Sequence, residues 1–303
     1  MRAFYSDQYV LPLPVGHRFP MQKYARLRER IVAELPAGAV NLELPPAATD
    51  REILRVHGAR WLEQVVTGSL SEAQLREIGF PWSMQMVERS RRSSGATIAA
   101  CRAALQDGTA ANLAGGTHHA FRDHGAGYCV FNDAAIAAAA MQAEGRVQRV
   151  AVIDCDVHQG DGTAAILQGD ESVFTFSIHG RNNYPFVKQT SDLDIELEDG
   201  AGDDRYLDCL DQALHQVLAA ARAGLAIYLA GADPYSGDRL GRLSLTKAGL
   251  ATRDRLVFDR CARAGVAVAV CMAGGYAREI EDTVDIHFAT VRIAAGLDTS
   301  ERA

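Results

Sequence analysis

A segment of nine residues, 154–162, carries three carboxylates and an imidazole directly after an apolar run, Val150–Ile153. A short apolar run of this kind is typical of a buried strand. Because alternate side chains of an extended chain face the same side, we expect Asp154, Asp156 and His158 to point together. Oxygen and nitrogen donors gathered at a strand end in this way predict half of a metal site.

Asp233 is the third candidate ligand, because it follows another apolar run, Ala226–Leu229. Three protein ligands of nitrogen and oxygen type leave one position open for water, which is the arrangement of a catalytic zinc site. Taken alone, an aspartate after a strand can cap a turn and a histidine can be a satisfied core residue. The joint occurrence of Asp233 with Asp156 and His158 favours a metal site.

Two adjacent histidines and a tyrosine are the candidate proton-transfer and electrophilic groups. His118 and His119 stand side by side, and a catalytic histidine needs a carboxylate to orient its second nitrogen. Asp154 and Asp161 are the carboxylates left for that task. Tyr276 follows two glycines and could donate to a developing oxyanion, although a turn tyrosine packed against a sheet fits equally well. Together these groups match metal-assisted hydrolysis of an amide.

Strands and helices that alternate along the chain must position these groups. The clearest strand-like runs are residues 110–114, 150–153, 173–176, 226–229 and 266–270. Helical patterns lie between them, notably at residues 134–141, 203–224 and 246–265. This alternation predicts an α/β fold with a parallel sheet covered on both faces. Ligands of such sheets bind beyond the carboxyl ends of the strands, where the candidate residues lie.

The first 90 residues have a weaker pattern. Residues 16–20 are typical of a loop that leads into a helix over residues 21–35. Helical patterns at residues 51–67 and 71–78 are expected to cover an edge of the sheet. The basic cluster Arg89, Arg91 and Arg92 is expected to be a solvated helix face.

Composition excludes several classes of function. Of the 303 residues, 48% are hydrophobic, which is ample for a sizeable core, so we expect one domain over residues 1–303. A net charge of −7 argues against a nucleic-acid partner. No apolar stretch reaches the roughly 20 residues of a membrane span, and no signal peptide is recognisable. The six cysteines form no Cys-x-x-Cys pair, so neither disulfides nor a cysteine zinc finger is expected, and the predicted location is the cytoplasm.

At this point the motifs resemble those of the zinc-dependent histone deacetylase superfamily. They are the segments 115–119 (GGTHH), 127–133 (GYCVFND), 154–162 (DCDVHQGDG), 177–179 (SIH), 231–233 (GAD) and 274–276 (GGY). The resemblance implies the arginase/deacetylase fold, in which three layers, α/β/α, enclose a parallel sheet of about eight strands. It also implies zinc-dependent hydrolysis of Nε-acyl-lysine.

The resemblance assigns a role to each candidate residue. It implies that Asp156, His158 and Asp233 bind zinc. It further implies that His119 is the general base and acid, oriented by Asp161. His118 corresponds to the electrostatic partner, held by Asp154, and Tyr276 to the tyrosine that polarises the carbonyl.

The same resemblance implies a substrate tunnel and a second cation. Tyr128 and Tyr184 correspond to the aromatic walls of the tunnel, where the family more often has phenylalanine, and Gly127 corresponds to the tunnel glycine. Gly127, Ala273 and Gly274 could leave room for an acyl chain, or could be small because backbones pack closely. A structural potassium ion is expected near Asp154, Asp156, His158, Ser177 and Ile178.

Gln159 is a departure from the pattern, because most class I and II members have a second histidine there. Together with segments 183–185 and 237–241 it resembles class IV, which raises the possibility of long fatty-acyl substrates. Alternatives that stay open are a small acylated amine such as an acetylpolyamine, a binuclear ureohydrolase and a non-catalytic acyl-lysine binder. Gly160 and the single carboxylate Asp233 stand where a second metal would need additional aspartates. The oligomeric state is not predicted.

Overall fold

The computed structural model describes residues 1–297, and its centre is a sheet of eight strands that all run parallel. The strands are β1 (Arg2–Phe4), β2 (Asn41–Glu43), β3 (Thr109–Asn112), β4 (Val150–Asp154), β5 (Val173–Gly180), β6 (Leu193–Leu197), β7 (Leu225–Leu229) and β8 (Ala267–Cys271). Their spatial order is β2-β1-β3-β8-β7-β4-β5-β6. The predicted parallel sheet of about eight strands is therefore confirmed.

Helices cover both faces of the sheet. They are α1 (Gln22–Glu34), α2 (Asp50–Ile53), α3 (Ala59–Thr67), α4 (Glu72–Ile78), α5 (Met84–Asp107), α6 (Asp133–Ala143), α7 (Asp161–Leu167), α8 (Asp203–Ala221), α9 (Lys247–Arg263) and α10 (Ile280–Ala294). Alternate residues of β4 belong to different cores: Val150 and Val152 pack toward α5 and α6, whereas Ala151 and Ile153 pack toward α8 and α9. A strand buried on both faces needs the continuous apolar sequence that predicted it.

The ends of the predicted helices follow from local chemistry. The side chain of Asn132 accepts a hydrogen bond from the amide of Ala135 and begins α6, and Thr246 does the same for α9. Two aspartates occupy the first turn of α8, where they interact favourably with the helix dipole. The helices predicted at residues 134–141, 203–224, 246–265 and 21–35 are confirmed with small shifts at their ends.

The strands β1, β2 and β6 were not predicted from the sequence. β1 and β2 have three residues each, and β2 and β6 are the edge strands of the sheet. In β6 the first three residues are half-exposed, Glu196 is exposed and only Leu197 is buried, so its sequence, LDIEL, lacks the continuous apolar run of a central strand. Short and half-exposed strands carry too little hydrophobic pattern to be recognised.

Two expectations for the first 90 residues are wrong. The pattern over residues 51–67 forms two helices, α2 and α3. The helical backbone stops after α2, and Gly58 is the N-cap residue of α3. These helices also do not cover an edge of the sheet: α2 contacts α6 and α3 contacts α5. The apolar face of α3, with Trp61, Leu62 and Val65, is buried in the layer above the sheet.

The expected solvated face of Arg89, Arg91 and Arg92 is also wrong. Arg89 is buried, and it donates to the carbonyls of Ser6 and Tyr9. Arg91 and Arg92 are partly buried and pair with acidic side chains. The reason is that these residues lie on α5, a central helix whose buried side chains are mostly small and give no clear helical stripe.

All six cysteines are free thiols, as expected. Within residues 1–297 no helix has both the length and the hydropathy needed to cross a membrane.

Candidate active site

The candidate metal ligands follow the adjacent strands β4 and β7, whose last residues, Asp154 and Leu229, are paired in register. One ligand atom from each of Asp156, His158 and Asp233 lies within 4.8 Å of the others. The Nδ1 atom of His158 is 2.9 Å from Oδ1 of Asp156 and 3.3 Å from Oδ2 of Asp233. The structure thus brings together the three residues that the sequence predicted.

The donor set fits a divalent cation. Oδ2 of Asp233 is buried and, within the described residues, accepts no hydrogen bond. The second oxygens are occupied, since Oδ1 of Asp233 accepts from the amide of Val157 and Oδ2 of Asp156 from that of Gly274. A buried polar atom without a partner is costly, and one imidazole cannot neutralise two carboxylates. A zinc ion would satisfy all three inward-facing atoms.

The pKa values of Asp233 and His158 reflect the short distances between the carboxylates of this cluster. Burial and the neighbouring Asp156 raise the pKa of Asp233 to about 7. Burial would lower the pKa of His158, but the adjacent carboxylates of Asp156 and Asp233 outweigh this and raise it to about 10. Without a cation the cluster therefore holds protons that a bound metal would displace.

Each histidine of the adjacent pair has its own carboxylate. Nδ1 of His119 lies 2.6 Å from Asp161, and Nδ1 of His118 lies 2.7 Å from Asp154. The two ring centroids are 4.2 Å apart. These pairings match the ones implied by the resemblance. With both Nδ1 atoms occupied, each ring has its Nε2 atom available to the cavity.

The two histidines have opposite charge preferences. Burial and the charge of His118 lower the pKa of His119 to about 4. Burial opposes protonation of His118, but Asp154 and Asp156 raise its pKa to about 9. Near pH 7, His119 is therefore neutral and can accept a proton, whereas His118 is cationic.

Tyr276 lies on a loop that is held from two sides. Its backbone amide donates to Asp238 at 2.6 Å. From beneath, Nζ of Lys23 donates to the carbonyls of Ala273 and Gly275, although Lys23 is only 2% exposed. Burial and the carboxylates of Asp233 and Asp156 raise the pKa of the Tyr276 hydroxyl well above its usual value. The hydroxyl therefore stays protonated and can act as a donor.

Two candidate tunnel residues are glycine because the site is tightly packed. A Cβ at Gly274 would overlap Oδ2 of Asp233, and one at Gly127 would lie 2.6 Å from Cδ2 of His119. Ala273 has the positive φ of 54° that favours glycine, so this loop carries backbone strain next to the site. At Gly127 and Gly274 the space that a Cβ would need is occupied by side chains of the site, so these glycines allow close packing rather than leaving room for an acyl chain.

One cavity of about 440 Å³ is lined by His118, His119, Gly127, Asp156, His158, Ala273, Gly274 and Tyr276. Its aromatic lining is Phe19, Tyr24, Tyr128, Tyr184, Phe186 and Tyr276. The Tyr184 ring packs edge-on against His119 with centroids 4.9 Å apart, and Phe19 lies 5.2 Å from Tyr128 on the other side. An elongated, mostly apolar substrate segment fits between such walls.

The expected potassium residues lie at the same end of the sheet. Asp154 on β4 is paired in register with Ser177 on β5, and Ile178 follows it. Oγ of Ser177 lies 2.9 Å from Nδ1 of His179. A hydroxyl that donates to this nitrogen keeps its lone pairs free for another partner.

Sequence reasoning missed several residues that shape the site. Phe19 and Phe186 were not recognised as wall residues, and Lys23 was not recognised as a support of the Tyr276 loop. Asp238 lies in a segment that was noted for its resemblance alone. No local sequence pattern around Lys23 indicates that its side chain contacts Ala273 and Gly275, which lie at least 250 residues later in the chain.

Comparison with known proteins identifies relatives of this chain. Residues 17–291 match the model of the histone deacetylase domain. An uncharacterized protein of Picosynechococcus sp. is 44% identical over 286 residues, covering 93% of this chain and 94% of that protein. The histone deacetylase-like amidohydrolase of Pseudomonas aeruginosa is 30% identical, covering 88% of this chain and 74% of that protein.

Solved structures share the fold. A histone deacetylase homologue complexed with SAHA superposes with a TM-score of 0.85 and 21% identity, covering 99% of this chain and 85% of the other. The acetylpolyamine aminohydrolase of Burkholderia pseudomallei superposes with a TM-score of 0.82 and 22% identity, covering 98% and 99%.

Proposed function

The chain belongs to the histone deacetylase family, a family of hydrolases that act on amides, and from this premise we propose that it is a zinc-dependent Nε-acyl-lysine deacylase. The observation that carries the proposal is one cavity lined by two carboxylate-bound histidines, a buried tyrosine and two of the three clustered metal-ligand candidates, Asp156 and His158. We further propose that the whole catalytic unit is one domain over residues 1–303. Residues 298–303 lie outside the described part of the chain.

Bound by Asp156, His158 and Asp233, zinc would supply Lewis acidity, which polarises a carbonyl and lowers the pKa of water. Neutral His119 takes the proton of the attacking water at Nε2, while Asp161 fixes the ring through Nδ1. Cationic His118 adds positive charge beside the reacting centre.

Tyr276 completes the proposed mechanism as a hydrogen-bond donor to the oxyanion of the tetrahedral intermediate. Its protonated state suits this role, and so does the fixed loop that carries it. His119 then returns its proton to the leaving amine, so the C–N bond breaks with a neutral amine as product. The tunnel residues Tyr128, Tyr184 and Gly127 would hold the aliphatic part of the lysine.

The second candidate is hydrolysis of a small acylated amine. It is favoured by the likeness in fold to an acetylpolyamine aminohydrolase, and the same residues would carry out the reaction. The length of the acyl chain is open for both candidates. Class IV membership, a potassium ion near Asp154 and Ser177, and location in the cytoplasm stay predictions.

The test is a substrate panel with purified protein of known metal content. Lysine peptides that carry acyl groups from acetyl to myristoyl are compared with acetylpolyamines at equal concentration. We expect about one zinc per chain and hydrolysis of at least one lysine peptide, lost on chelation and restored by zinc. Turnover of acetylpolyamines alone would establish the second candidate. Two manganese ions per chain together with formation of urea would rule out a deacylase.

A further inference from the structure

Gln159 follows the metal-ligand candidate His158 but does not face the cavity. It is 1% exposed, and its side-chain amide makes three hydrogen bonds. Nε2 donates to the carbonyl of Gln189 at 2.7 Å and to Oδ1 of Asp194 at 2.9 Å. Oε1 accepts from the backbone amide of Gln189 at 2.8 Å. One donor and one acceptor of the amide are therefore committed to Gln189 in the segment between β5 and β6, and the other donor to Asp194 on β6.

That segment, residues 182–190, forms one side of the cavity mouth. Its first part is anchored by Asn183, whose Nδ2 donates to the carbonyl of Leu240. Its last part is anchored by Gln189 on Gln159. Between the anchors, Tyr184 and Phe186 line the cavity, with ring centroids 6.2 Å apart.

The middle of the segment is not held by the hydrophobic core. Phe186 is 84% exposed and Val187 is 80% exposed, so neither side chain gains much from burial. Nζ of Lys188 donates to the carbonyls of Asn183 and Pro185, which are within the same segment. Just beyond the segment, Ser191 and Asp192 are held by Asp194 and Thr175, so the chain is also attached there. Within the far end of the segment itself, Gln189 is attached to Gln159, because internal contacts alone do not fix the position of a loop.

We propose that Gln159 is a positioning residue that fixes the cavity wall of Tyr184 and Phe186, and that Phe186 contacts the aliphatic part of the substrate at the mouth. This inference rests on the proposed function. A wall that is already ordered does not lose conformational entropy when the substrate binds. The hydrogen bonds between Gln159 and Gln189 would therefore lower the free-energy cost of binding. An exposed aromatic ring at the edge of an apolar cavity supplies contact area for an acyl-lysine chain.

The experiment uses the variant Gln159→Met, which keeps the length of the side chain and removes all three hydrogen bonds. Gln142→Met is the matched control, because Nε2 of Gln142 also binds a backbone carbonyl and a side-chain oxygen, far from the cavity. Two measurements are made on full-length, zinc-loaded protein: amide hydrogen exchange without substrate, and steady-state kinetics with the best acyl-lysine peptide of the panel.

For Gln159→Met we expect faster exchange at Gln189 and across residues 182–190, with the rest of the chain and the zinc content unchanged. We expect KM to rise about three- to tenfold with little change in kcat, since the reacting groups do not move. Gln142→Met should leave both readouts as in the wild type. A loss of thermal stability with unchanged KM is the pattern of a structural residue and would overturn the positioning role.

A second variant, Phe186→Ala, tests the cavity wall and leaves the hydrogen bonds between Gln159 and Gln189 in place. It replaces an exposed side chain, so the fold is not at risk, and we expect a similar rise in KM with unchanged exchange at Gln189. Unchanged KM for Phe186→Ala, or unchanged exchange for Gln159→Met, overturns the inference. Failure of the wild type to hydrolyse any acylated amine would instead refute the proposed function, while hydrogen exchange still decides whether Gln159 holds the segment.

Discussion

His118 and His119 are neighbours in sequence, yet their surroundings give them different protonation states. His118 faces the charges of Asp154 and Asp156, whereas His119 has Asp161 alone and the positive charge of His118 beside it. Environment therefore separates the pKa values of two identical groups and divides the work between them. The result is a neutral base next to a fixed positive charge near pH 7.

Tyr276 is the residue whose removal tests the proposed chemistry most directly. Tyr276→Phe keeps the ring and removes the hydroxyl that would bind the oxyanion. We expect kcat to fall by roughly 10²–10³-fold while KM changes little, as for the loss of one oxyanion donor. The measurement is steady-state kinetics at equal zinc content. Turnover close to that of the wild type would remove Tyr276 from the mechanism.

The loop between β8 and α10 is the element that aims Tyr276. Asp238 accepts hydrogen bonds from three backbone amides, those of Leu240, Gly241 and Tyr276, and thereby connects two loops of the rim. Lys23 holds the same loop from α1. In the proposed mechanism, the position of Tyr276 would therefore depend on Asp238 and Lys23, which do not line the cavity.

Asp238→Asn should loosen this support, because one amide NH₂ group would then face a backbone N–H. We expect kcat to fall about tenfold and the free energy of unfolding to fall by about 1–3 kcal/mol, the cost of a buried donor without an acceptor. The control is Asp192→Asn, since Asp192 also accepts from a backbone amide but lies outside the cavity. Wild-type kcat in Asp238→Asn, with the stability loss present, would contradict the aiming role.

The elements that could be predicted are those with a strong apolar pattern. Four strands are buried on both faces and were recognised from continuous apolar runs: β4, β5, β7 and β8. Site residues were then predicted from their position directly after these strands. The edge strand β6 was missed, and α5 was expected only as a solvated helix face at Arg89, Arg91 and Arg92, because half-exposure and small buried residues leave no clear period. The contacts of Lys23 and Gln159 depend on which loops meet in space, which no local pattern encodes.

At the scale of the whole molecule, one buried histidine makes stability depend on pH. His57 lies between α2 and α3, and its Nε2 accepts a hydrogen bond from the backbone amide of Asn132, the residue that caps α6. Burial, with a smaller contribution from the charge of Arg122, lowers its pKa from 6.5 to about 4. The imidazole is therefore neutral in the folded protein over a range in which it is charged in the unfolded chain.

The sign follows from proton binding. Between pH 6.5 and about 4 the unfolded chain binds the proton and the folded chain does not, so the stability that is present above pH 6.5 is lost as the pH falls toward 4. The difference corresponds to roughly 3 kcal/mol. His57→Gln keeps a hydrogen-bond acceptor for Asn132 but does not titrate. The free energy of unfolding, measured with urea from pH 7 to pH 4, should fall less in this variant than in the wild type. An equal dependence on pH in the two proteins would contradict the assignment to His57.

The hydrogen bonds from Lys23 to the Tyr276 loop also have a consequence for folding. Lys23 is 250 residues from Ala273 and 252 from Gly275, so a side chain of α1 must meet a loop that is distant in sequence. Contacts this distant in sequence form late and slow the completion of folding. Up to residue 272 the chain contains Lys23 and Asp238 but not the loop that they hold. Tyr276 is therefore fixed in position only after segments 250 residues apart have come together.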